Sequence, residues 1–216
     1  MTFKNEECLK RSSFALVARP FCRCQLIWAL NPMDEQTFWQ IVQRAHDASH
    51  GNMARKCELL TAQIAQLSKE DAVEFRNIFD AMMYRAFHRP LWAAAYLIHG
   101  GCGDDTFSDF CSSLISRGQR AFETALSDPD TLADEPIDED AWFFEGYQYA
   151  VTDGLRAHFP IVPDPRGWFA LLMGGARRRI DTMPPRTAPP LREPTGERWS
   201  EDQLTELLPK LAKRFG

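Results

Sequence analysis

From Met33 onward, apolar residues recur every three or four positions, and each run stops at a capping or breaking residue. Phe38, Ile41, Val42 and Ala45 form the first such stripe. Met53, Cys57, Leu60, Ile64 and Leu67 form the second, and Ala72, Phe75, Phe79, Met82, Met83 and Ala86 the third. This spacing places side chains on one face of an α-helix. No stretch alternates with period two over strand length, so the pattern predicts an all-α fold. The expected architecture is a single irregular bundle of about six to seven helices with a Pro-rich extended C-terminal segment.

Punctuation fixes the expected boundaries. Asp34 and Glu35 suit the positive end of the first helix dipole. Gly51-Asn52 interrupts the chain, and Ser68-Lys69-Glu70-Asp71 is a capping-box-like start for the third helix. Pro90 suits the first turn of a short alanine-rich fourth helix ending near His99, with Gly100 or Gly101 as its left-handed cap. Asp104, Asp105 or Thr106 is expected to cap a fifth helix reaching about Leu126. Gly118 then falls inside that helix, which implies close packing, with the alanine face of the fourth helix as its expected partner. A sixth helix is expected over about 140–158. Five prolines between Thr182 and Pro194 predict an extended loop. Ser200-Glu201-Asp202-Gln203 opens a last helix that Pro209 kinks or ends.

Composition narrows the function classes. Of 216 residues, 44% are apolar and 12% aromatic, a globular balance. The net charge of -5 is uneven: residues 1–32 carry +3, which leaves -8 on the remainder. Between Ser127 and Asp153 there are nine acidic residues and no lysine or arginine. Such a body repels phosphate backbones, so no nucleic-acid partner is expected. No apolar run is long enough to span a bilayer, so no membrane partner is expected. Six cysteines lack metal-finger spacing and read as reduced thiols of a cytoplasmic protein. The apolar stretch near the N-terminus is cut by Arg19, Pro20 and Arg23, which breaks any signal-peptide core. Residues 1–32 are expected to be a disordered or loosely attached extension, or an overcalled start with Met33 as the natural first residue, ahead of a helical domain over 33–216 with a Pro-rich wrap at 160–198.

The stretch Leu91-Trp92-x-Ala94-Ala95-Tyr96, Gly100-Gly101-Cys102-x-Asp104-Asp105-x-Phe107 and Phe110 resembles the signature of the bacterial domain of unknown function numbered 4240. Leu114-Ile115, Gly118, Phe122, Ala125-Leu126, Asp128-Pro129-Asp130 and Leu132 resemble it too, as do both ends of the segment Met33–Gly216. Cys111 and Ser113 stand where that family usually shows an arginine and a tryptophan, and Gly103 where a serine is common. The resemblance carries no established activity, substrate or cofactor.

Trp92, Tyr96, His99, Asp104 and Asp105, with Arg85 or Arg89, form the candidate functional corner. The acids could serve as metal ligands or as an acid–base pair, or simply satisfy a helix start. His99 could face Asp104 as a base. Arg85, His88 and Arg89 could ion-pair with the acids or form an anion site. The thiol of Cys102 beside two acids is expected to titrate high, which disfavours a nucleophile. Arg177 to Arg179 could contact the acidic 127–153 segment or an anionic partner. No catalytic set is complete, so no cofactor and no metal are expected. The favoured reading is a non-enzymatic module that binds a protein partner; the alternative is a small-ligand binder or enzyme with its site at the corner.

Overall fold

The computed structural model describes residues 33–136, 138–163, 179–188 and 193–216. Met33–Gly216 belongs to one compact unit. The architecture is all-α, and its first half follows the caps. Helix α1 runs Glu35–Ser49 from Asp34, whose carboxylate accepts the Thr37 N–H at 2.7 Å. Helix α2 (Met53–Ala65) starts at Asn52, and α3 (Lys69–Ala86) at Ser68. Helix α4 (Arg89–His99) has proline in its first turn and ends at Gly100, with φ 69°. At the starts of α1, α2 and α3 a short polar side chain takes an N–H that the first helical turn leaves free, and at α4 the His88 ring does so.

The next part differs from the sequence pattern. Gly118 does not lie inside a helix: it has φ 94° and separates α5 (Asp104–Ile115) from α6 (Gln119–Ser127). A Cβ there would lie 2.3 Å from Gln43 Oε1, so the close neighbour is α1 and not the alanine face of α4. Apolar periodicity runs through the break because both helices bury the same side. After a 3-10 helix at Pro129–Asp134, the expected sixth helix is split into α7 (Glu139–Trp142) and α8 (Gly146–Arg156). The C-terminal helix is divided as expected: a capping box at Ser200 and Gln203 leads to α9 (Leu204–Leu207), and Pro209 opens α10 (Pro209–Phe215).

Helix α2 packs between α1 and α8. Gly154 makes the α2–α8 approach possible, since a Cβ would meet Ile64 Cβ at 2.7 Å and the Thr61 carbonyl at 3.0 Å. The core holds Phe38, Phe75, Phe107, Phe110, Phe122, Trp142 and Tyr147, all at most 1% exposed. The C-terminal segment closes it: Leu204, Leu208 and Leu211 are buried. Thr195 exchanges backbone hydrogen bonds with Phe87 and Arg89, and Trp199 Nε1 donates to the Arg89 carbonyl. Part of the Pro-rich wrap lies against α3, where Arg76 donates to the carbonyls of Pro184 and Pro185. A two-residue antiparallel ladder joins Val162–Pro163 to Arg179–Ile180. The extension 1–32 and the basic Arg177-Arg178 pair lie outside the described residues. Among the described residues, no helix is long and apolar enough to cross a membrane.

Candidate functional site

The α4–α5 corner is built by glycines and braced from inside by Trp92. Gly100 and Gly101 have φ 69° and 130°, conformations that a side chain would strain. Trp92 stacks on Phe107 at 4.8 Å between centroids and donates its indole N–H to the Cys102 carbonyl at 2.9 Å. The loop is thereby fixed onto the core.

Asp104 and Asp105 do not cap α5. Gly103 is its N-cap, no side chain bonds the free N–H groups, and the Phe107 N–H bonds the Gly103 carbonyl. The two acids occupy the first helical turn, where they complement the dipole while remaining exposed.

The other corner candidates are directed elsewhere. His99 is exposed; its Nδ1 lies 2.7 Å from the Gly101 carbonyl, so that nitrogen carries the proton and donates. Arg85 sits near the end of α3 and grips both oxygens of Glu123 at 2.8 Å, with Glu35 at 3.6 Å. Arg89 approaches Glu193 at 3.8 Å. His88 is used locally, with Nδ1 accepting the Leu91 N–H at the start of α4. Tyr96 donates to Glu201 and meets Trp199 edge-on. Arg85 and Arg89 are engaged by carboxylates of α1, α6 and the C-terminal segment, His88 and His99 by backbone groups, and among the described residues no ion pair reaches Asp104 or Asp105. Burial, reinforced by Asp104, pushes the Cys102 thiol up to about 12, so it stays protonated at neutral pH. Cys111 is fully buried core.

Asp105 does take part in a concave feature, which the sequence did not reveal. A cleft of about 420 Å³ between α5 and α8 is lined by Asp105, Ser108, Asp109, Glu145, Gln148 and Tyr149, together with Thr106. Gln148 donates to Ser108 and Asp109, both at 3.1 Å, and the Tyr149 hydroxyl donates to Glu145 at 2.8 Å. Tyr149 is 57% exposed, an unusual position for a large aromatic ring. Burial raises the Asp109 carboxyl, and Glu145 and Asp105 add to that against the hydrogen bond from Gln148. The cleft thus holds three carboxylates, and no lysine or arginine lines it. Glu145, Gln148 and Tyr149 precede or open α8 at helical spacing; their pairing with α5 is a tertiary fact. Among the described residues, no group of three or more histidine, cysteine, aspartate or glutamate side chains is placed to hold a metal ion.

An all-α domain with a glycine-built corner and an acidic cleft defines the class, and the family follows from the sequence match. Residues 33–156 match the model described as "Protein of unknown function (DUF4240)". The chain belongs to that family. No curated protein and no solved structure matches it.

Proposed function

We propose that the protein is a non-enzymatic interaction module whose α5–α8 cleft receives a cationic segment of a protein partner. Three carboxylates without a lining cation carry this reading. Burial, with repulsion from Glu145 and Asp105 added, disfavours the charged Asp109 in the unbound state, and an incoming ammonium or guanidinium offsets this. Gln148 holds Asp109 in place, and the exposed ring of Tyr149 offers a face to the same cation. The protonated Cys102 and the dispersed corner residues supply no nucleophile–base pair to favour catalysis.

Fluorescence anisotropy with a labelled peptide rich in lysine and arginine tests the proposal. Binding is expected to be saturable, to weaken with salt, and to lose about tenfold in affinity in the Asp105→Asn/Glu145→Gln double variant. A glutamate-rich peptide of equal length should not bind. Equal affinity of the double variant and the parent for the basic peptide would refute the assignment.

A further inference from the structure

A second concave feature has the opposite character. Where α6 starts, a pocket of about 410 Å³ is lined by Gln43, Arg117, Arg120, Thr124, Glu135 and Trp142, among others. Arg117 is held in place: its guanidinium lies 4.2 Å from the Trp142 ring centroid and 2.9 Å from Glu135. Arg120 is exposed and has no ion pair among the described residues. The first turn of α6 lines the pocket through Arg120 and Ala121, and no side chain caps its leading N–H groups.

More positive charge lies close to Arg117. Lys56 is 2% exposed, and its ammonium donates to the Ser116 hydroxyl at 3.2 Å. No carboxylate among the described residues lies within ion-pair distance of it. His46, on α1 one turn beyond Gln43, has a buried Nδ1 with no hydrogen-bond partner. Burial and then Arg117 hold Lys56 down to about 8; burial, Lys56 and Arg117 lower His46, against Asp47. A buried ammonium without a carboxylate is costly to keep. Here the acidic groups Glu135 and Asp47 face the cations Arg117, Arg120 and Lys56, with His46 held neutral, so the neighbourhood is left with net positive charge.

We propose that this pocket binds a phosphate-bearing anion through Arg120, Arg117 and the first turn of α6. Arg120 supplies the free fork, Arg117 a pre-oriented one, and Thr124 an exposed hydroxyl on the same wall. The surplus of positive charge around the pocket favours a multiply charged group, and Glu135 offsets part of that attraction. The site is independent of the acidic cleft and survives if that proposal fails.

Calorimetric titration with inorganic phosphate and with pyrophosphate tests the site, alongside NMR titration of the His46 ring. Saturable binding is expected, tighter for pyrophosphate. The His46 pKa should rise when the anion is bound, because negative charge in the pocket offsets Lys56 and Arg117. Arg120→Gln alters an exposed side chain, so it leaves the fold intact, and it should weaken binding about tenfold. Absence of saturation with both probes, unchanged affinity in Arg120→Gln, or a His46 titration indifferent to ligand would each overturn the proposal.

Discussion

Tyr147 shows how much a single atom can matter in this core. Its ring is fully buried against Phe79, yet its hydroxyl has no hydrogen-bond partner among the described residues. Burial pushes its ionisation far above the ordinary value, so the group stays a neutral, unsatisfied donor. An unmade buried hydrogen bond costs about 1–3 kcal/mol, whereas the ring itself contributes its full apolar burial. Tyr147→Phe removes the polar atom and keeps the ring. It is expected to raise unfolding stability by about 1 kcal/mol in urea titration, with the m-value unchanged. A loss of stability would mean that the hydroxyl has a partner and that this part of the core is polar by design.

Individual helices depend on caps, and two of these come from unexpected places. Helix α10 opens with Pro209, which has no N–H; the next two donors, of Lys210 and Leu211, are taken by the buried carboxylate of Asp130 at 2.9–3.1 Å. Asp130 is thus a cap supplied from some eighty residues away, and it ties the C-terminal helix to the 3-10 helix. Asp130→Ala should cost about 1–2 kcal/mol and speed hydrogen exchange in α10 before the rest of the molecule. Unaltered protection of α10 would show that its buried leucine, and not the cap, holds it down.

Helix α4 is capped by neutral His88, whose Nδ1 accepts the Leu91 N–H. Burial lowers the His88 pKa below its ordinary 6.5. The folded state therefore resists protonation, and stability present above about pH 6.5 is lost as pH falls through that value toward the folded pKa. His46 acts in the same direction. His88→Asn keeps a cap acceptor that does not titrate, so its melting temperature should fall less between about pH 7 and pH 5 than that of the parent. Parallel curves would assign the acid sensitivity to His46 or the carboxylates.

These elements also mark what local pattern reveals. Ser68, Gly100, Ser200 and Pro209 act within a few residues of themselves, so their roles are legible in order along the chain. The break at Gly118 is not, because the positive φ and the close approach of Gln43 from another helix are properties of the folded chain that the apolar spacing does not carry. The same holds for Arg85, which the spacing brings near the Asp pair and the fold turns toward Glu123. Of the corner candidates, Asp105 alone also lines the acidic cleft, and its partners there on α8 are set by packing.

At the scale of the whole molecule, the C-terminal segment has a direct claim on the core. The family match spans 33–156, yet Leu204, Leu208 and Leu211 are buried against that region, and α10 packs on α4. Arg214 adds bonds to the carbonyls of Ala133 and Glu135, and Lys210 an ion pair with Asp134. A chain ending at residue 192 leaves the apolar wall of α4 and the Asp130 carboxylate uncovered. Burial of three leucines is worth about 5–8 kcal/mol by area, comparable to the whole stability of a domain this size. That chain should be unfolded or molten, with lost near-ultraviolet circular dichroism and dye binding to exposed apolar surface. A chain beginning at Met33 keeps Asp34 as the α1 cap and Met33 with its N–H on Asp71. It should melt cooperatively within a few degrees of the 216-residue chain, because Met33–Gly216 already forms one compact unit. If the chain beginning at Met33 failed to fold while the chain ending at 192 did fold, the core would have to be completed from the N-terminal side.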